Sequence, residues 1–311
     1  MASPADVSVS IVNAGSRDLL LACLESLSGE DVEIVVLDNA SEDGSVDAVR
    51  ERFRDVRVIA QPFRSGFGAN HNTVIRATES RYVYLLNEDT GSDDWGFARM
   101  VAYLDAHPEV AALGPRLVYP DGSPQASAWR FPTPAWSALG AATLGHIGVV
   151  QSRGRRPSRV DWLTGAALML RRSALDEVGM FDEGFFMYAE EMDLQRRFAR
   201  AGYEAHWFPE VTVVHHVSAS TAGLPERRIN ETWRSRHRYW RKHHSRVGAR
   251  IAALATGAQY AVRAVLAPLA RSDPDLGPRM RLHARDSLSV DGPGLRELAE
   301  EWNRRVGASA G

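Results

Sequence analysis

In Leu85-Leu86-Asn87-Glu88-Asp89-Thr90 an apolar run ends abruptly in amide and carboxylate oxygens. Such a short run, bounded by polar residues, reads as a buried parallel strand over Tyr82 to Leu86. Open α/β sheets bind ligands beyond the carboxyl ends of these strands. Hard oxygen donors at that position suit Mg²⁺ or Mn²⁺, with most of the coordination left to a phosphate ligand. A second run, Val213-Val214-His215-His216, closes in paired histidines. A neutral imidazole at His215 can complete a metal site begun by Asp89.

Three further segments carry polar chemistry. Asp38-Asn39-Ala40-Ser41 follows an apolar run, and a carboxylate and amide at a strand end can hydrogen-bond a nucleobase edge. Ser45 can cap the helix that follows. Gly66-Phe67-Gly68-Ala69-Asn70-His71-Asn72 opens a helix. Its glycines permit close backbone approach, and its N-terminal amides favour an anion or sugar hydroxyls. In Phe185-Phe186-Met187-Tyr188-Ala189-Glu190-Glu191-Met192-Asp193, three carboxylates stand at the start of a helix. Acids there complement the helix dipole. An aromatic wall can also desolvate one of them and raise its pKa toward a general-base role. Leu194, Phe198 and Ala201 face inward on that helix, with Arg196, Arg197 and Arg200 outward.

The elements that must position these residues alternate. Strands are predicted at Val7–Val12, Glu33–Leu37, Val56–Ala60, Tyr82–Leu86, Val110–Val118, Ala166–Leu170, Glu204–Phe208 and Thr212–Val214. Helices fall at Leu19–Leu27, Val46–Phe53, Gly68–Thr78, Trp95–Ala106 and Glu190–Ala201. This order implies a mostly parallel sheet with helices on both faces. No Gly-x-Gly-x-x-Gly opens the first helix, which excludes a dinucleotide fingerprint. Residues 130–160 are rich in proline, glycine and arginine and read as an irregular insert and lid in a catalytic domain of residues 1–223. A helical extension over residues 224–311 follows. Nine Arg or Lys residues lie between Arg227 and Arg250 against the single acid Glu231. Trp233, His237, Trp240 and His244 share a face of that helix. Two readings stay open for it: attachment to a membrane surface, or packing back on the catalytic domain with a solvated basic face. The stretch from Arg271 on is polar and expected to be loosely held.

At 311 residues with 44% hydrophobic content, the chain has ample material for a core. A net charge of −2 gives no global field for nucleic acid. A single cysteine, Cys23, excludes an internal disulfide framework and fits a reducing compartment. Neither a signal peptide nor a spanning helix is evident. The expected location is cytoplasmic, with peripheral contact at the inner face of the membrane.

Taken in order, these motifs resemble the inverting family-2 glycosyltransferases of the GT-A fold, particularly the bacterial rhamnosyltransferase-like branch. The resemblance spans roughly Val7 to Ala222. It rests on Leu37 to Ser41, Gly66-Phe67-Gly68, Leu85 to Thr90, Pro120-Asp121-Gly122, Trp162-Leu163-Thr164-Gly165, Phe181-Asp182-Glu183, Phe186-Met187-Tyr188 and His215-His216. It implies a Rossmann-like α/β fold with a mixed central sheet, and transfer of a sugar, with rhamnose or a related deoxysugar as the best match. The donor would be a dTDP- or UDP-sugar, the cofactor Mn²⁺ or Mg²⁺, and the acceptor a saccharide or lipid-linked saccharide. By position, Val12, Asn13, Asp38, Asn39, Ser41, Gly66, Asn70, Asn72, Asn87 and Glu88 would line the donor. Asp89 and His215 would hold the metal, and Trp162, Gly165 and Tyr188 the acceptor. Glu191 would be the base, with Glu190 orienting it and Asp193 next in line. The chain departs from the family in having Glu191 where aspartate is usual, Asn13-Ala14-Gly15 for Asn-Tyr-Asn, and Arg64 for an asparagine. Two other readings were open on sequence. Nucleotidyl transfer predicts a basic triphosphate loop that Ser10 to Gly15 lacks. A catalytically degenerate sugar-nucleotide or glycan-binding module is kept open by Glu191.

Overall fold

β-branched and leucine-rich runs, each too short for a stable helix, form the strands of the chain's larger unit. The computed structural model describes residues 6–144, 149–217, 225–269 and 275–309. It comprises two compact units: residues 1–129, 150–183 and 191–222 in the first, and residues 130–149, 184–190 and 223–311 in the second.

The strands of the first unit are β1 (Val7–Asn13), β2 (Glu33–Asp38), β3 (Arg57–Ala60), β4 (Tyr82–Asn87), β5 (Thr90–Gly91), β6 (Val110–Val118), β7 (Pro124–Gln125), β8 (Ala128–Trp129), β9 (Ser158–Val160), β10 (Trp162–Leu163), β11 (Ala167–Arg171) and β12 (Glu204–His215). The main sheet runs β3-β2-β1-β4-β11-β6-β12-β5, with β7 beside β6 and β9 beside β12. Strands β3 to β4 are mutually parallel, whereas β11 is antiparallel to both β4 and β6. The sheet is therefore mixed, and the fold is α/β. The runs expected as two strands near residue 210 form one, β12, whose pairing with β6 slips between Phe208 and Thr212.

Period-two alternation divides each central strand between two cores. Tyr82, Tyr84 and Leu86 enter one cluster with Leu20, Leu24, Met100 and Leu104. Val83 and Leu85 enter the other with Leu168, Leu170, Phe181, Leu194 and Phe198. Helices α1 (Arg17–Ser26), α2 (Ser45–Arg52), α3 (Phe67–Arg76), α4 (Phe97–Ala106), α6 (Arg172–Val178) and α7 (Glu190–Ala201) complete this layer arrangement, the first residue of α7 being counted with the second unit. α5 (Pro134–Ala142) belongs wholly to that second unit. Cys23 is a buried core thiol, pushed up to about 12 by desolvation.

The second unit corrects two expectations. The segment expected to be an irregular insert contains α5, which Thr133 caps by accepting from the Trp136 amide, with Pro134 in the first turn. It packs on α9 (Arg246–Leu266) and is counted with the helical unit. The polar stretch after Arg271 forms α10 (Leu276–Asp286) and α11 (Leu295–Ser309). α11 is anchored by the Arg234–Glu297 ion pair and by Arg296 N–H donating to Glu231. In α8 (Pro225–His243) the aromatic face is packed: Trp233, Tyr239 and Trp240 are buried, and Trp240 Nε1 donates to the Pro132 carbonyl at 2.8 Å. The expected boundary at residues 223 and 224 lies outside the described residues.

Candidate active site

Sheet register lines up the strand-end residues. Asn13 pairs with Asp38 across β1 and β2, and Val12 with Asn87 across β1 and β4. Asp38 is buried, and Oδ1 accepts from Asn13 Nδ2 at 2.8 Å and from Ser41 Oγ at 2.5 Å. Oδ2 accepts from the Ser41 amide at 3.0 Å and retains acceptor capacity. Val12 is half-buried against the Val35–Leu37–Val74 cluster. Asn39 and Ser65 exchange hydrogen bonds of 3.1 and 2.8 Å, tying the loop after β2 to the approach to Gly66, which opens α3 in extended conformation.

Not every polar residue on α3 lies at those strand ends. Asn70 is buried and spends its amide on Gln61 and the Ser65 carbonyl, bracing the loop. Asn72 does not serve as a donor ligand: its Oδ1 accepts from Phe181 N and its Nδ2 donates to Phe181 O and Glu183. Two residues past Asn70 on a helix is most of the way to the opposite side, so Asn72 faces the neighbouring segment.

The metal candidates meet. β5 pairs with β12 through Thr90–His215 and Gly91–Val214, and His216 N donates to the Asp89 carbonyl at 2.9 Å. This sets His215 Nε2 at 3.3 Å from Asp89 Oδ1. His215 Nδ1 lies 2.8 Å from Gln125 Oε1. A carbonyl oxygen only accepts, so Nδ1 carries the ring proton and Nε2 presents its lone pair, also 3.3 Å from Asn87 Nδ2. Asp89 Oδ1 is buried with no hydrogen-bond donor. Two acceptors facing each other at this distance are satisfied by a cation between them or a proton on Nε2. The residues thus fit a divalent ion held by one carboxylate and one imidazole. No cluster of three or more His, Cys, Asp or Glu ligands occurs among the described residues, which leaves the remaining coordination to a ligand's oxygens. Beside it, burial and the Asp89 charge push Glu88 up to about 7, against hydrogen bonds from Ser16 and the Ala14 backbone.

Glu191 lies in the same unit. Asn87 N donates to the Ala166 carbonyl, which places Gly165 at the end of β4. A Cβ on Gly165 would lie 4.0 Å from Glu191 Cβ and 2.9 Å from Phe67 Cζ. Gly165 therefore lets the Phe67 ring and Glu191 pack close to the backbone at the end of β4. Gln195, one turn along α7, donates to the Leu163 and Glu191 carbonyls and accepts from Leu163 N. Trp162 stacks on Trp129 with ring centroids 4.7 Å apart. Asp193 is not a base candidate. It is fully buried and accepts from Arg197 Nε at 3.0 Å, while Arg197 also donates to the carbonyls of Val178, Gly179 and Met180. That corrects the outward placement of Arg197 as well. Glu190 and Tyr188 belong to the second unit. Glu190 is buried there, and the Tyr188 hydroxyl accepts from Arg228 Nε at 3.2 Å.

Sequence reasoning missed Gln125, Gln195 and Trp129. Gln195 had a detectable signal, a polar residue on the apolar face of α7. Gln125 had none, since its partner lies 90 residues away. Backbone strain marks the same segments. Five described non-glycine residues have left-handed φ, and Ala40, Tyr188, Ala189 and Val217 border the strand-end loop, the start of α7 and the end of β12. Each such residue costs on the order of 1 kcal/mol or more, and such strain concentrates at functional sites.

Comparison with known proteins identifies the family and the fold. Residues 6–179 match the model of glycosyl transferase family 2. The chain is 31% identical over 248 residues to the N-acetylglucosaminyl-diphospho-decaprenol L-rhamnosyltransferase of Mycobacterium tuberculosis, covering 72% of this chain and 80% of that one. It is 24% identical to the rhamnosyltransferase WbbL of Escherichia coli K12, covering 68% and 83%. Among solved structures, a mannosyltransferase from Pyrobaculum calidifontis in complex with GDP-Man and Mn²⁺ superposes with a TM-score of 0.61 at 19% identity, covering 93% of this chain and 89% of that one. The fold is GT-A, and the chain belongs to glycosyl transferase family 2 and is a glycosyltransferase.

Proposed function

We propose that the enzyme is inverting and metal-dependent, moving rhamnose or a related deoxysugar from a dTDP- or UDP-sugar to a hydroxyl of a lipid-linked saccharide. The observation that carries the metal is the facing pair Asp89 Oδ1 and His215 Nε2, 3.3 Å apart, with the imidazole tautomer set by Gln125. The relatives' names support the sugar, and the mycobacterial relative's name supports a lipid-diphosphate acceptor. A lipid-linked acceptor would be met at a membrane surface.

In this mechanism Asp38, braced by Asn13 and Ser41, receives the nucleobase edge through its free acceptor capacity. Asp89 and His215 would hold Mn²⁺ or Mg²⁺, which would supply positive charge to offset that of the diphosphate leaving group. Glu191 takes the proton from the acceptor hydroxyl as that oxygen bonds to the anomeric carbon and the carbon–diphosphate bond breaks. Gln195 ties α7 to Leu163 and so fixes where Glu191 projects. The Trp129–Trp162 stack offers an aromatic face for the acceptor sugar. Glu191→Gln should lower transfer by at least ~100-fold while leaving donor-induced thermal stabilisation with Mn²⁺ intact. A parent protein that binds the nucleotide sugar yet transfers nothing to any acceptor would instead mark a binding module.

A further inference from the structure

A 21-residue helix packed inside a water-soluble unit buries its large apolar side chains and exposes its small or polar ones. Helix α9 does the reverse at most positions, Tyr260 being the large side chain that turns in, against Trp233 and His283. Ala252, Ala253, Gly257 and Ala264 form its buried face. The fit there is close: a Cβ on Gly257 would lie 2.3 Å from Ser287 Oγ, just past the end of α10. The large side chains Val247, Ile251, Leu254, Val262, Val265 and Leu266 point outward, with Val265 77% and Leu254 60% exposed. Val247, Ile251 and Leu254, and then Val262 and Val265, recur at three and four residues, and exposed Ala258 bridges the eight residues between Leu254 and Val262, so that one stripe runs about 30 Å along the helix. Solvated apolar patches of that extent mark interaction sites.

Charge selects the occupant. α5, α9 and α10 together carry Arg246, Arg250, Arg263, Arg279, Arg281 and Arg285, against one acid, Asp286, which is fully buried. Exposed Arg246 and Arg250 stand beside the start of the stripe and α9 itself carries no carboxylate, which complements an anionic lipid surface. We propose that α9 is the docking face through which the protein lies on an anionic phospholipid bilayer, in the plane of the headgroups. The inference rests on the helical unit alone and stands apart from the transfer reaction, although it would bring the enzyme to the lipid-linked acceptor proposed above. It also moves the membrane contact from α8, whose aromatic face is packed, to the helix that follows it.

The test is flotation of the full chain with vesicles of phosphatidylcholine, alone or containing phosphatidylglycerol. The parent should float with the phosphatidylglycerol vesicles and be released by high salt. A triple Ile251→Ser, Leu254→Ser, Val265→Ser variant alters only exposed side chains and should keep the parental melting temperature while binding about tenfold or more weakly. The pair Arg246→Glu and Arg250→Glu should lose the preference for anionic vesicles. Donor hydrolysis by the same variants without vesicles should match the parent, so a failure of the transfer reading would show separately. Equal flotation of parent and triple variant, or none by the parent, overturns the proposal. So does parental self-association at equal concentration that the triple variant abolishes, because the stripe would then be an interface between copies.

Discussion

Replacing Gln125 with leucine should weaken Mn²⁺ binding through a residue that touches no metal. Gln125 Oε1 holds the proton of His215 on Nδ1 at 2.8 Å, which leaves the Nε2 lone pair opposite Asp89. Without that acceptor, the proton is better placed on Nε2, where it can donate to Asp89 Oδ1 across 3.3 Å and block a cation. Loss of an outer partner of a metal-binding histidine typically costs about 10–100-fold in affinity, which is about 1.4–2.7 kcal/mol. The fold should hardly notice, because Gln125 is half-exposed in the two-residue strand β7, where substitutions stay within about 0.5 kcal/mol. Gln125→Glu should act in the opposite direction, since a carboxylate holds the Nδ1 proton more firmly. The assay is titration of Mn²⁺ in the presence of dTDP or UDP, with free metal read by electron paramagnetic resonance. Parental affinity in Gln125→Leu, at unchanged melting temperature, would refute the tautomer argument and with it the role of His215.

Three other outcomes test the remaining structure. Asp193→Asn strips the charge from a fully buried group paired with Arg197 and should cost about 2–4 kcal/mol of stability, read by denaturant midpoint; unchanged stability with lost turnover would return Asp193 to the chemistry. Gly165→Ala puts a methyl 2.9 Å from Phe67 Cζ and should destabilise by about 1–3 kcal/mol, with recovery in the Gly165→Ala, Phe67→Leu double variant. His71 is fully buried against Ser10 Oγ, and desolvation holds it down to about 3 from its ordinary 6.5. The unfolded chain therefore takes up this proton before the native state does, so its contribution to stability falls as pH drops below 6.5, by about 2 kcal/mol at pH 5. Glu88, pushed up from 4.5 to about 7, acts with the opposite sign between those values, so the His71 effect is isolated as a difference. His71→Leu should lose less stability than the parent between pH 7 and pH 5, and parallel stability curves would dismiss the argument.

Periodicity made the strands and the GT-A order legible, because Tyr82 to Leu86 is apolar at every position and such a run fits only a strand covered on both faces. The same local logic singled out Asp89 and His215, which the fold brings to 3.3 Å of each other, since abrupt changes from apolar to polar residues mark strand ends. What local sequence decides is which residue types stand at those ends. Which partners they meet was decided by the folded chain alone. Asn72 and Asp193 read as site residues because an amide and a carboxylate carry no mark of what they bond, and long-range packing gave them to Phe181 and Arg197. Gln125 met His215 only through the pairing of β7 with β6 and of β6 with β12. In the helical unit, composition disclosed basic and aromatic content, but burial assigned the aromatics of α8 to the interior and left the valines and leucines of α9 in water. Hydrogen-bond partners and exposed faces belong to pairs of segments far apart in the chain, so no single stretch of sequence holds that information.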